Sequence, residues 1–141
     1  MPTKRIKSKR KKTDRQLLEK ECDDLLSIKV REAGHKSDIP CYFAGRDNVR
    51  CSGVLQCNHI IGRINKRLRW DYMNVVPGCS GHNLYYHFNE PDLHRLIERI
   101  DPKRWEYLIN AKWQSGKRSK SDLKLVMLYI ENTPYIYKRV L

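Results

Sequence analysis

The fold is decided by two short stretches of the sequence, Leu55–Gln56–Cys57–Asn58–His59 and Cys79–Ser80–Gly81–His82–Asn83. The first lies in an apolar run of strand character, and the second begins with a Cys-x-x-His pair. Between residues 40 and 89, glycines and prolines interrupt short apolar runs, a pattern that is typical of short strands joined by loops. A helix over about 80–88 is predicted to follow.

Further helices are predicted on both sides of this region. One begins at Thr13 or Asp14 and runs to about Ala33, with Gly34 as its stop signal. The others are placed by their capping residues: a helix over 91–100, a helix that starts at Pro102 after the cap Asp101, and a last helix capped by Ser121–Asp122.

The predicted fold class is therefore α+β. A core of strands and loops over about 40–90 lies between the N-terminal helix and C-terminal helices over about 91–141. A chain of 141 residues suffices for one compact domain. No linker interrupts residues 13–141, so a single domain is predicted there.

The charge of the chain indicates its partner. The formal net charge is +13, from 29 Lys and Arg against 16 Asp and Glu. Such an excess favours binding to a polyanion, with nucleic acid as the first candidate and an acidic membrane surface as the second. The sequence contains neither a long apolar run nor the apolar stretch of a signal peptide. We therefore expect a cytoplasmic protein that does not span a membrane and whose five cysteines stay reduced.

Two basic segments are predicted to contact DNA. Residues 1–12 contain no acid and are dense in cations, including Lys9, Arg10, Lys11 and Lys12, which predicts a disordered arm that binds phosphates through counterion release. The loop after His59 presents Arg63, Lys66, Arg67 and Arg69, which are placed to hold phosphates. The alternative for both segments is a solvated surface without a specific role.

The central residues suit hydrolysis of a phosphodiester. His59 can accept a proton near neutral pH and is the candidate general base. Asn58 and Asn83 offer amide oxygens suited to a hard cation such as Mg²⁺, and Mn²⁺ is an alternative. His87 follows Asn83 by one helical turn, so both side chains can face the same cation.

A second metal is predicted for the cysteines. Cys79 and His82 have the Cys-x-x-His spacing at which a turn directs two ligands to one Zn²⁺. Cys41 and Cys51 can complete a tetrahedron, and Cys57 is the alternative to Cys51. Such a zinc would be structural, because a loop-rich region with few apolar residues gains much stability from it.

Taken together, these motifs resemble those of HNH (ββα-metal) endonucleases. The resemblance implies that His59 is the general base, that Asn74 braces the loop, and that Asn83, Asn58 and His87 bind the catalytic cation. Most of the chain after the arm is also similar to the NinG/Rap family of lambdoid phage recombination proteins. The similar stretches are 28–34, Cys41, Gly45–Arg46, 55–59, 79–85, Asn89 and 96–100. This similarity implies a structure-selective endonuclease that cuts Holliday junctions and D-loops.

The sequence departs from the family pattern at three positions. Ala44 stands where the first zinc pair has its second cysteine, and His82 replaces a cysteine of the second pair. Asn58 replaces an acid, so activity is expected to need millimolar Mg²⁺ or Mn²⁺.

Two alternative functions are also consistent with the sequence, and symmetry suggests an assembly state. A sequence-reading or nicking HNH endonuclease and a non-catalytic zinc protein that binds DNA are the alternatives. Resolution of a two-fold symmetric junction needs two nicks, so a homodimer is attractive on symmetry grounds.

Overall fold

The computed structural model describes residues 9–139, which form a mixed α+β fold. The described elements are α1 (Asp14–His35), β1 (Leu55–His59), a 3-10 turn (Tyr72–Asn74), β2 (Val75–Cys79), α2 (Ser80–Phe88), α3 (Glu90–Ile100), α4 (Pro102–Ala111) and α5 (Lys120–Asn132). The α+β prediction is confirmed. None of the helices within residues 9–139 has both the length and the apolar character required to cross a bilayer.

The two strands form an antiparallel hairpin that separates two apolar clusters. Leu55 pairs with Cys79 and His59 pairs with Val75, so the stretches 55–59 and 79–83 lie in or beside one small sheet. Val75 belongs to the cluster that includes α1 and α5, whereas Val76 belongs to the cluster that includes α2, α3 and α4. Adjacent strand residues point to opposite faces, which explains this division.

Helix α1 covers one side of the hairpin. Thr13 caps it through a capping box with Gln16, and Cys22, Leu26 and Val30 form its buried stripe. The spacing of the stripe is helical, and Cys22 lies in the core as its position on that stripe indicates.

Two predicted helix boundaries were wrong. Ser119, not Ser121–Asp122, caps α5, because its hydroxyl accepts from the Asp122 amide while the Asp122 carboxylate accepts from the Ser119 amide. Gly34 does not end α1, which continues to His35. The lack of a side chain at Gly34 instead lets the helix approach the hairpin closely. A Cβ at this position would lie 2.6 Å from Leu55 Cδ2 and 2.7 Å from Pro77 Cβ.

We predict that Gly34→Ala destabilises the protein by about 1–3 kcal/mol, because the rigid Pro77 ring cannot move away from the added methyl group. Gly62→Ala is the control, since a Cβ there meets nothing within 4 Å. Its effect should stay within about 0.5 kcal/mol. Denaturant unfolding of both variants measures the difference, and equal stability of the two would contradict the packing role of Gly34.

Candidate active site and metal centre

Three cysteines and one histidine converge beside the start of α2. One potential ligand atom from each of Cys41, Cys51, Cys79 and His82 lies within 4.8 Å of all the others. His82 Nδ1 is 3.1 Å from the sulfur of Cys79, 3.6 Å from that of Cys51 and 3.7 Å from that of Cys41. Three thiols and an imidazole suit a tetrahedral site, so this cluster could hold a structural metal such as zinc.

The local backbone brings these ligands together. Cys79 is the last residue of β2 and caps α2, which places His82 on the first turn beside it. The Cys79 amide donates to the sulfur of Cys41 over 3.4 Å. The segment that contains Cys51 is attached by the Gly81 amide, which donates to the Ser52 carbonyl over 2.9 Å. Four ligands from separate parts of the chain therefore meet at one strand end.

The choice between Cys51 and Cys57 is decided by the strand geometry. Cys57 packs with Leu26 and Val75 in the apolar cluster beside α1, on the other side of the hairpin. Burial raises the pKa of the Cys57 thiol to about 12, as expected of a core cysteine without a metal. Cys51, not Cys57, is therefore the fourth member of the cluster.

Asp47 is a candidate site residue that was not predicted from the sequence. His82 Nε2 donates to Asp47 Oδ1 over 3.0 Å, and the Tyr86 hydroxyl donates to Oδ2 of the same carboxylate. Because the Asp47 carboxylate can only accept, Nε2 carries a proton, and Nδ1 is the ring nitrogen that would coordinate a metal among the sulfurs. No short motif contains Asp47, so only the folded chain reveals it.

The electrostatics of the cluster favour a thiolate at Cys79. Burial by itself raises the pKa of this thiol, but hydrogen bonds from the His82 amide and ring oppose burial and bring the pKa down to about 6. Burial conversely lowers the pKa of His82, whereas Asp47 and Cys79 raise it overall. A thiolate next to an oriented imidazole is suited to bind a soft or borderline cation.

The predicted general base and the three predicted cation ligands line one cleft of about 720 Å³. Asn58 and His59 come from the end of β1, and Asn83 and His87 come from α2. Asp23 of α1 and Glu90 of α3 also line the cleft, and neither was predicted from the sequence.

His59 is held in one tautomer. Its Nε2 lies 2.8 Å from the Arg69 carbonyl oxygen, which can only accept, so Nε2 donates and Nδ1 is left as the acceptor. Burial lowers the pKa of His59 below its usual value, with the Arg69 carbonyl acting in the opposite direction. The ring is therefore neutral at pH 7 and able to accept a proton.

Asn74 ties the two ends of the basic loop together. Its Nδ2 donates to the carbonyl of Ile61 over 2.8 Å and to that of Leu68 over 3.1 Å. Its Oδ1 accepts from the Ile61 amide over 2.8 Å, and the side chain is fully buried. All three bonds are made to residues that lie between the end of β1 and Arg69. They therefore fix the position of the Arg69 carbonyl, which accepts from His59.

Asn58 and Asn83 both line the cleft, but Asn58 is buried and Asn83 is exposed. Asn58 is only 4% exposed, yet its Oδ1 has no hydrogen-bond partner within residues 9–139. Asn83 donates its Nδ2 to Gln56 Oε1 over 2.8 Å, which commits the nitrogen and not the oxygen of the amide. A buried oxygen without a partner costs free energy unless a cation or another donor satisfies it.

The basic loop is largely bound to acids of the same chain. Arg69, which is 16% exposed, donates to Asp23 over 3.0 and 2.6 Å. Arg67 pairs with Asp71 over 3.0 Å, and Lys66 pairs with Glu19 over 3.1 Å. These pairs give Arg69 and Arg67 structural roles, whereas the sequence predicted only contacts with phosphates.

Arg63 is the most available cation of this loop. It is 62% exposed and lies 3.9 Å from Asp23, a distance that allows easy exchange for a phosphate. It also lines a second groove together with Arg10, Lys11 and Lys12. Lys9 is exposed beside them. The predicted disordered arm covers residues 1–12, of which 1–8 lie outside the described residues.

No protein-family model, curated protein or solved structure gives a significant match to this chain. The resemblance to HNH endonucleases and to the NinG/Rap family therefore stays a prediction that rests on the motifs and their geometry.

We predict that the protein binds one Zn²⁺ per chain at the four-residue cluster. Cys51→Ser should lose most of this zinc after dialysis, because a hydroxyl replaces a thiolate ligand. Cys57→Ser is the matched control and should keep it, since Cys57 packs elsewhere. Elemental analysis of the purified proteins measures the metal, and equal zinc in both variants would contradict the ligand assignment.

A second prediction concerns Asp47. Asp47→Ala should weaken zinc binding by about 10–100-fold, because the His82 ring loses the carboxylate that orients it. The control is Asp24→Ala on the exposed side of α1, which should leave the affinity unchanged. Competition with a coloured zinc chelator reports both affinities. Wild-type zinc affinity in Asp47→Ala would show that the hydrogen bond between His82 and Asp47 does not affect zinc binding.

Proposed function

We propose that this protein is a metal-dependent DNA endonuclease selective for branched recombination intermediates such as Holliday junctions and D-loops. The observation that supports it is the meeting of His59, Asn58, Asn83 and His87 in one cleft, with Arg63 at its edge. A base, cation ligands and an exposed positive charge are the parts that phosphodiester hydrolysis requires.

In this proposal His59 is the general base. The Arg69 carbonyl holds the Nε2 proton, so Nδ1 accepts a proton from the attacking water. The lowered pKa of His59, caused first by its burial, keeps the ring unprotonated at neutral pH. Asn74 acts through the loop: it keeps the Arg69 carbonyl in place and so fixes the direction of the ring.

The cleft residues fit a hard divalent cation. Asn58 offers a buried oxygen that lacks a partner, and Asn83 and His87 offer an oxygen and a nitrogen from α2. Bound Mg²⁺ or Mn²⁺ would stabilise the negative charge that develops on the phosphate. The ligands from this chain are neutral, which is consistent with weak binding of the cation.

The Cys/His cluster has a different task in this proposal. Zinc would join the start of α2 to the segments around Cys41 and Cys51, and α2 also presents Asn83 and His87 to the cleft. The metal therefore stabilises the helix that positions the cation ligands and takes no part in the reaction.

Selectivity for branched DNA is proposed on shape and charge. The net charge of +13 supplies affinity for phosphates without reading a sequence. Arg63, Lys66 and the basic arm are proposed to hold the DNA on either side of the cut. This substrate class follows from the resemblance to the NinG/Rap family and from the basic surface.

We predict that His59→Ala lowers the cleavage rate of a synthetic four-way junction by about a hundredfold or more, the usual contribution of a general base. Zinc content and junction affinity should stay at wild-type values. His35→Ala, at the exposed end of α1, is the control and should cleave normally. A linear duplex of the same sequence, assayed in parallel with Mg²⁺ and with Mn²⁺, measures selectivity.

The outcomes separate the alternative functions. A wild-type protein that leaves every branched and linear DNA intact would mean a non-catalytic zinc protein. Cleavage of the linear duplex at fixed sites, as fast as that of the junction, would mean a sequence-reading or nicking enzyme. Undiminished cleavage by His59→Ala would refute the role of this histidine.

A further inference from the structure

One apolar side chain at the edge of the cleft is almost entirely in solvent. Ile64 is 94% exposed, more than any other large apolar side chain within residues 9–139, and it lines the cleft that contains His59. Single exposed apolar residues are common on protein surfaces. Ile64 differs from these because it lies directly after Arg63, the most available cation of the basic loop.

Two grooves meet beside this residue. The first is the cleft with the predicted catalytic residues, and the second, of about 770 Å³, runs past Arg63 to Arg10, Lys11 and Lys12. Arg63 and Asp23 line both grooves. A DNA strand in each groove would therefore diverge from the other at Arg63 and Ile64.

The backbone that presents Ile64 is held on both sides. The Asn65 amide donates to the Gly62 carbonyl over 3.0 Å, which closes a turn around Ile64. Asn65 Nδ2 donates to the Lys112 carbonyl over 3.0 Å, and Asn74 fixes the loop from within. The exposed side chain thus stands on a fixed turn, as a side chain that pushes between bases must.

We propose that Ile64 is a wedge that enters the branch point of DNA and unstacks the base pair there, with one DNA arm in each groove. This inference rests on the proposed function and names the residue that provides its selectivity. Branched aliphatic side chains are used in this way by proteins that kink or open a duplex. Arg63, which lines both grooves, matches a phosphate beside the opening.

The wedge explains a preference for branched DNA. Unstacking a continuous duplex costs a few kcal/mol per base step, and the cost is lower where the strands exchange between helices and the stack is more easily interrupted. Contact with Ile64 therefore lowers the free energy of the branched complex more than that of the linear one.

The test measures unstacking directly and does not depend on cleavage. A four-way junction with 2-aminopurine at the branch point is bound to the full-length His59→Ala protein, which is expected to cut it at least about a hundredfold more slowly than the wild type. Binding should raise the fluorescence, because 2-aminopurine brightens when it unstacks. Adding Ile64→Ser should abolish the rise and reduce the affinity for the junction by about tenfold, with the affinity for linear duplex unchanged.

Ile136→Ser in the same background is the control, since Ile136 is also a highly exposed isoleucine, at 72%, and lines neither groove. It should preserve both the fluorescence and the affinity. A fluorescence rise that survives Ile64→Ser, or no rise with the parent protein, would overturn the wedge.

The two proposals fail in distinguishable ways. Cleavage by the wild-type protein without any Ile64-dependent unstacking refutes the wedge alone. Unstacking that depends on Ile64, in a protein that cuts no DNA, refutes the enzyme and leaves a branch-binding protein with a wedge.

Discussion

The bond between His82 and Asp47 is the constraint on which the candidate site depends. It fixes which nitrogen of the imidazole faces the three sulfurs, and it does so from a loop that has no regular secondary structure. Asp47 also accepts from Tyr86 one turn further along α2, so a single carboxylate fixes two side chains of that helix. The rotation of α2 about its axis is thereby set before any ligand is bound.

That rotation connects the metal cluster with the cleft. His82 and Tyr86 occupy the buried side of α2, while Asn83 and His87 follow each of them by one residue and face the cleft. A rotation of the helix that moved His82 away from the sulfurs would also redirect Asn83 and His87, which line the cleft. The two groups of residues are therefore mechanically coupled although they do not share a ligand.

Helix bounds could be predicted from the sequence where the residues that determine them are close together in the chain. The bounds of α2 and the start of α4 at Pro102 after Asp101 follow from caps and spacing, which act within a few residues. Gly34 shows the limit of such reasoning: a glycine near a helix end usually indicates a stop, but here it permits contact with Pro77, 43 positions away. Asp47 and Asp23 were missed for the same reason, because their partners are distant in sequence and no periodicity connects them.

The acidic residues of α1 reduce the positive charge that the basic loop offers to a partner. Arg69 is bound by Asp23, and Lys66 and Arg69 both approach Glu19, so part of the basic loop is neutralised within the chain. This neutralisation has a benefit, because it holds Arg69 in the position from which its carbonyl orients His59. The Arg69–Asp23 and Arg69–Glu19 pairs are mostly buried, so the cost of removing the charges from water offsets much of their attraction. These pairs matter for geometry, because they hold the basic loop in one conformation. Arg63, which lies where the two grooves meet, is left as the loop cation most accessible to an incoming phosphate.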